Sequence, residues 1–201
     1  RLAKLALPIR RLACDSVEDH DDIDLFLITT PGRLWLTRLA VVGVVRVVGL
    51  RGPELCPNLM VSTDALELDV RTQYVARELA QTVPLVGRDL WHQMLRANAW
   101  YLDHLPNADV RSQPDVGSGE PGPLRRTVER LLASPVFDRV ERWEMARKIR
   151  RLTDVSSRRP EVGTPDESSF SPSVCKGHME GNAAGIEVAW RDRTSRYGSS
   201  R

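Results

Sequence analysis

The feature that most constrains this chain is the run of residues 20–29, which carries Asp22 and Asp24 at the start of a branched, aliphatic segment. Alternate side chains of an extended strand point to opposite faces, so the two acids are predicted to project on one side. Neighbouring carboxylates repel each other, and a divalent cation between them relieves that repulsion. The spacing therefore predicts either a metal-binding pair or an acidic strand end at the surface.

Composition indicates an ordinary globular protein. The 201 residues are 41% hydrophobic and 28% charged, and the formal net charge of +2 gives no bulk electrostatic argument for nucleic-acid binding. The charge is unevenly distributed, because residues 12–32 carry six acids and no Lys or Arg, whereas residues 124–159 carry eleven Lys or Arg against five acids. We therefore expect an acidic site and a basic segment that are separate along the chain.

Cysteine usage and hydropathy bear on the compartment. Cys14, Cys56 and Cys175 lie far apart and form neither a zinc-ligand spacing nor a disulfide framework, so a reducing cytoplasm is expected. The most hydrophobic segment, 34–50, contains Arg38 and Arg46. A spanning helix needs about 20 residues almost free of charge, so no membrane span is predicted.

Periodicity and turn signals predict an alternation of strands and helices over the first hundred residues. The predicted elements are a strand within 1–14, the acidic strand to residue 29, a buried helix over 33–49, a strand over Leu55–Ser62 and helices over 71–83 and 88–105. Asn98 interrupts the apolar stripe of the last helix. Such a residue is predicted to be a buried amide bound by backbone groups, with a ligand contact as the alternative.

The remaining chain divides by composition. Residues 109–123, rich in Pro and Gly, are predicted to be a linker. Two basic helices follow over 124–133 and 136–155, and the second is expected to be sandwiched because apolar residues lie on two opposite faces. Residues 156–201 are predicted to be a polar, largely irregular tail with a short helix near 183–190.

The acids Asp22 and Asp24, the hydrophobic strand, the Pro31-Gly32 turn and the helix that begins at Arg33 together resemble the nucleotidyltransferase superfamily with its DNA-polymerase-β-like core. Within that superfamily, the chain looks most like uncharacterised bacterial nucleotidyltransferase-domain proteins. The resemblance covers roughly residues 10–108. It implies an α/β (α+β) fold with a mixed sheet covered by helices, as a core over 1–108 that is followed by the linker 109–123 and a C-terminal helical appendage over 124–155.

The resemblance also implies a reaction, namely transfer of a nucleoside monophosphate from a nucleoside triphosphate such as ATP to a hydroxyl acceptor. Asp22 and Asp24 would be the catalytic ligands of Mg²⁺ or Mn²⁺. The family carries a Gly-Ser element before this pair, and here Arg10 and Arg11 stand at that position as candidate phosphate contacts. A third carboxylate is usual on a neighbouring strand, where Asn58 is the residue expected to face the pair.

These departures leave a second hypothesis open. The chain is either an active nucleotidyltransferase or a catalytically degenerate module that binds a nucleotide or a partner. In either case the basic helices over 124–155 are candidates for contacting RNA or another protein, although basic residues on a helix more often form a solvated face.

Overall fold

The computed structural model describes residues 3–9, 23–49, 55–84, 86–108, 127, 132–158, 168–177 and 182–198. Within these ranges the strands are β1 (Ala3–Ile9), β2 (Ile23–Thr29), β3 (Leu55–Ser62), β4 (Ser168–Phe170) and β5 (Val174–Gly177). The helices are α1 (Leu34–Gly49), α2 (Gln73–Gln81), α3 (Arg88–Ala97), α4 (Tyr101–His104), α5 (Val136–Ser157) and α6 (Asn182–Gly198).

The strands form one mixed sheet in the order β1-β2-β3-β5-β4. Strands β2 and β3 are parallel and are joined through α1, as a parallel pair requires a crossover connection. The pairs β1–β2, β3–β5 and β4–β5 are antiparallel. The predicted combination of a mixed sheet with covering helices is therefore confirmed.

Both faces of the two central strands are buried, which explains why β2 and β3 read as nearly continuous hydrophobic runs. On one face, Phe26 and Leu59 pack with Trp91 and Met94 of α3 and with side chains of α2 and α4. The opposite face carries a second cluster of Leu27, Leu34, Trp35, Met60 and Cys175, with Met145, Ile149 and Leu152 of α5 packed against it.

Helix α1 is buried only in its first part. It begins after a turn in which Gly32 adopts a positive φ of 69°, a conformation that favours glycine. Trp35 is fully buried, whereas Val44 and Val47 farther along are 61% and 68% exposed. The prediction of a helix is confirmed, but the prediction that this helix is buried is wrong for its second half.

Helix α5 packs on α1 and the sheet through one side only. Arg33 at the start of α1 donates from Nε to the carbonyl of Leu132 (3.0 Å) and from Nη2 to the carboxylate of Asp138 (2.6 Å). Val136 and Trp143 on the other side of α5 are 74% and 61% exposed. The expected sandwich is therefore wrong, because no described element covers that second apolar side.

The last part of the chain differs from the prediction of a largely irregular tail. Residues 168–170 and 174–177 extend the sheet, where Cys175 of β5 pairs with Met60 of β3. A helix occupies Asn182–Gly198, longer than the short helix expected near 183–190. The strands were missed because each is only three or four residues long, and β5, which joins β4 to the sheet, pairs with β3 more than a hundred residues earlier in the chain.

Candidate functional site

Of the four residues that the sequence singled out, the structure describes the backbone of Asp24 only. Asp24 lies in β2, where its register partners are Ile9 at the end of β1 and Cys56 near the start of β3. Asp22, Arg10 and Arg11 lie outside the described residues. Whether the four residues form one site therefore stays a prediction.

The register nevertheless shows which strand ends lie side by side at one end of the sheet. Strand β1 ends at Ile9, and the parallel strands β2 and β3 begin at Ile23 and Leu55, which are register partners. The end of β1 and the start of β2 therefore lie at the same end of the sheet. Arg10 is the first residue of one segment, and Asp22 is the last residue of the other.

The expected partner of the acid pair on β3 is not beside Asp24. Cys56 is the register partner of Asp24, and Asn58 falls at an irregularity between the pairs Leu25–Pro57 and Phe26–Leu59. An extra residue on one strand of a pair re-aims the side chains around it, so strict alternation did not locate Asn58 correctly. Asn58 is buried, and β3 carries no carboxylate at any position.

A metal site in a protein needs several acid, imidazole or thiolate side chains close together. Over the ranges that the structure describes, which do not include Asp22, no three His, Cys, Asp or Glu residues stand close enough to hold an ion. The carboxylates of Asp22 and Asp24 have the oxygen chemistry that Mg²⁺ prefers. The metal site at this pair stays a prediction.

A pocket of about 270 Å³ lies on the Phe26–Leu59 face, at the edge of the sheet formed by β4 and β5. Its floor is apolar and includes Leu59 and Val174. One wall is the loop of residues 67–70, another is α2 with Val75 and Glu78, and the strand side presents Ser168, Ser169 and Lys176. Sequence reasoning missed this pocket, because its walls come from segments about a hundred residues apart.

A buried amide holds the loop wall in place. Asn98, which is fully buried, donates from Nδ2 to the carbonyl of Leu66 (2.7 Å) and to that of Met94 (2.9 Å), and its Oδ1 accepts from the backbone N–H of Leu68 (2.8 Å). The prediction of a backbone-bound amide is confirmed. Asn98 also ends α3, so the helix predicted over 88–105 is two helices that flank this residue.

A second polar cluster, the basic seam, lies between α1, α5 and β5 on the other face of the sheet. It comprises Arg38, Glu144, Arg147, Lys148 and Cys175. Burial lowers the pKa of Lys148 below its ordinary range, with Arg38 and other nearby guanidinium groups adding to the effect and Glu144 opposing it. Burial raises the pKa of the Cys175 thiol, against the opposing effects of Arg38, which hydrogen-bonds it, and Lys148.

Glu144 supplies the negative charge of the basic seam. Its side chain is 1% exposed, and Oε2 accepts from Nε (2.8 Å) and Nη2 (2.6 Å) of Arg147, while the guanidinium of Arg147 lies 5.1 Å from the ring centroid of Trp143. Among the described residues of the seam, one carboxylate therefore faces several cations. The exposed arginines of α5 that lie outside the seam are Arg139, Arg142, Arg150 and Arg151.

Comparison with protein-family models, curated proteins and solved structures finds no match for the chain. Among the described helices, none combines the length and the apolar composition that a membrane crossing requires.

Proposed function

We propose that the chain is a nucleotidyltransferase-like protein that binds a nucleoside triphosphate with Mg²⁺ at Asp22 and Asp24. When bound, the ion neutralises phosphate charge and orients the triphosphate. The acids hold the ion, and Arg10 and Arg11 contact phosphate oxygens through guanidinium groups, which present paired donors to an oxyanion. The acceptor is a hydroxyl group.

The observation that carries this proposal is the pairing of Ile9 with Asp24. It brings Ile9, the residue immediately before Arg10, beside Asp24, although 15 positions separate Ile9 from Asp24 in sequence. Phosphate contacts and metal ligands must lie near each other to act on one triphosphate, and the pairing of Ile9 with Asp24 supports the proposal because Ile9 immediately precedes Arg10 in sequence.

A second candidate is a nucleotide-binding module that has lost turnover. It is favoured by the composition of β3, where Cys56 stands beside Asp24 and no carboxylate follows. Without a third acid, the strand neither adds a metal ligand nor offers a base for the attacking hydroxyl. Both candidates bind the nucleotide in the same way and differ only in whether pyrophosphate is released.

Pyrophosphate release during incubation with Mg²⁺, each nucleoside triphosphate and a panel of hydroxyl acceptors separates the two candidates. The active enzyme releases pyrophosphate with at least one acceptor, and Asp22→Asn and Asp24→Asn abolish release while leaving the unfolding temperature within a few degrees. Release that both substitutions leave unchanged rules out this site as the catalytic centre.

A partner role for α5 is a further part of the proposal, supported by the exposure of Arg139, Arg142, Arg150 and Arg151. Guanidinium groups on one exposed helix suit the phosphates of RNA. If RNA is the partner, the affinity falls steeply with salt, and replacing Arg139 and Arg142 by Gln together reduces the slope by about 2. Binding that is insensitive to salt would eliminate phosphate contacts.

A further inference from the structure

We propose that the outer face of α5 binds single-stranded RNA, with Trp143 as the ring on which an unpaired base stacks. The outer face is defined by four exposed residues of this helix, Arg139, Arg142, Trp143 and Arg150. The inference rests on the partner role proposed above for α5. It adds the strandedness of the RNA and the residue that contacts its bases, and it is independent of nucleotidyl transfer.

Helical spacing places these residues on one side of α5. Trp143 follows Arg139 by four positions and Arg150 follows Trp143 by seven, so the three side chains form one row along the helix, which Arg142 flanks. From Arg139 to Arg150 the row is about 16 Å long, at about 1.5 Å per residue. A nucleic-acid strand with one phosphate per about 3.4 Å places about five phosphates along that length.

The positive charge of the outer face is not neutralised by the acids of the same helix. Asp138 forms an ion pair with Arg33 at 2.6 Å. Glu141 accepts from backbone N–H groups at the start of α1, and Glu144 pairs with Arg147. Within the described part of the chain, no hydrogen bond or ion pair engages the three arginines of the outer face. Their guanidinium groups therefore match the phosphates of a nucleic-acid strand.

Trp143 distinguishes this face from an ordinary solvated row of arginines. Its side chain is 61% exposed, so a large aromatic ring faces water among cationic groups. Carboxylates of an acidic protein would pair with the arginines as well, but a stack on Trp143 needs a second flat ring, which every nucleotide carries. Bases are free to stack on a side chain only where they are unpaired, which favours single-stranded over duplex RNA.

Contacts within α5 hold the ring of Trp143 before any RNA binds. The guanidinium of Arg147 lies 5.1 Å from the centroid of this ring. Arg147 is itself fixed by Glu144, whose buried Oε2 accepts from Nε at 2.8 Å and from Nη2 at 2.6 Å. A ring that is already supported on one side loses less side-chain entropy when a base stacks on it.

Probes that separate phosphates from bases test the proposal on the intact chain. A short oligouridylate is compared with an abasic oligomer of the same length and with oligoglutamate of the same charge, by fluorescence anisotropy at one salt concentration. We expect oligouridylate to bind at least about fivefold more tightly than the abasic oligomer, which corresponds to one stacked base. Equal binding of these two oligomers, or equal binding of oligoglutamate, would overturn the stacking inference and leave a polyanion-binding role for α5. Absence of binding by all three probes would overturn both.

Substitution of Trp143 locates the stacked base. Trp143→Ala should weaken oligouridylate binding by about fivefold or more and leave the affinities for the abasic oligomer and for duplex RNA unchanged. Trp143→Phe keeps a ring and should restore most of the affinity. The matched control is Val188→Ala, which removes another exposed apolar side chain, on α6. Wild-type affinity of Trp143→Ala for oligouridylate, or an equal loss of affinity for duplex RNA, would contradict the assignment.

Substitution of the arginines gives the complementary result. Replacing Arg139 and Arg142 by Gln together should weaken oligouridylate and the abasic oligomer by the same factor, because both probes carry the phosphates. A loss confined to oligouridylate would contradict phosphate contacts at these two residues. The comparison of probes on the wild-type chain decides the proposal even if one variant fails to fold.

Discussion

The carboxylate of Glu141 on α5 caps the first turn of α1, where Oε1 accepts from the backbone N–H of Trp35 at 3.0 Å and Oε2 accepts from that of Leu36 at 2.6 Å. Glu141 and both backbone groups are buried. A helix N-terminus offers free N–H groups and partial positive charge, which is why such ends often bind phosphate. Here the protein's own carboxylate fills that position, so the start of α1 is not open to a triphosphate.

Replacing Glu141 with Ala should lower the free energy of unfolding by about 1–3 kcal/mol, because two buried N–H groups lose their acceptors. Denaturant unfolding followed by circular dichroism measures the change. Asp154→Ala, on the same helix but exposed, should cost less than about 0.5 kcal/mol. A Glu141→Ala variant as stable as the wild type would show that the cap contributes nothing to the packing of α5 on α1.

Replacing Asn98 with Ala should lower the free energy of unfolding by about 2–4 kcal/mol, because Leu66 and Leu68 each lose a buried hydrogen-bond partner. Hydrogen exchange of the amide of Leu68 should accelerate more than that of residues in α2. An unchanged exchange rate at Leu68 would mean that the loop is held by its other contacts. The Asn98→Asp variant keeps the acceptor for Leu68 but sets a buried carboxylate against the carbonyls of Leu66 and Met94, so at neutral pH it should be at least as unstable as Asn98→Ala.

The elements that sequence reasoning located correctly are those with local signals. Strand β3 was predicted over its full extent, and Asn98 was recognised because an amide within an apolar stripe needs backbone partners. The burial of α1 was misjudged because apolar composition does not reveal how far the sheet extends beneath a helix. Val44 and Val47 are apolar yet exposed for this reason.

The residues that sequence reasoning missed depend on long-range pairing. Lys176 meets Leu59 only because β5 adds to the sheet beside β3, and no periodic pattern links two positions so far apart. The pocket that they line with Glu78 has no motif of its own. The acids Asp22 and Asp24 carried a local signal, but Asn58 was misplaced relative to the backbone of Asp24 because an irregularity between β2 and β3 shifts the register.

Replacing Lys148 with Gln should stabilise the fold at neutral pH. Burial and neighbouring cations lower the pKa of Lys148 in the folded state from its ordinary value of about 10.5, so the unfolded chain binds the proton more tightly. The free energy of unfolding of the wild type therefore rises with pH between the lowered pKa of Lys148 and about 10.5, and the variant lacks this rise. Unfolding curves collected across that window measure the difference.

The control for this prediction is Arg150→Gln, an exposed change on the same helix. The free energy of unfolding of this variant should differ from that of the wild type by the same amount at every pH. If the difference between Lys148→Gln and the wild type is also independent of pH, the basic seam does not disfavour the charged form of Lys148.

Cys175 should be unreactive in the folded protein. Its buried thiol has a raised pKa, and the thiolate is the form that reacts. In a Cys14→Ser, Cys56→Ser variant, alkylation by iodoacetamide at pH 8 should be more than about tenfold slower in buffer than in denaturant. Equally fast alkylation in buffer and in denaturant would contradict the burial of Cys175.

The pKa of the Cys175 thiol is higher in the folded protein than in the unfolded chain, so this group also reduces the stability of the fold as pH rises beyond about 9.

The most direct measurement of the central claim is calorimetric titration of the chain with ATP in the presence and absence of Mg²⁺. Binding at Asp22 and Asp24 through a shared ion predicts that Mg²⁺ tightens ATP binding by about tenfold or more, and that Asp24→Asn removes this enhancement without unfolding the protein. ATP affinity that is independent of Mg²⁺ would contradict a metal–nucleotide site at Asp22 and Asp24. An enhancement of ATP binding by Mg²⁺ that both Asp22→Asn and Asp24→Asn leave intact would contradict it too.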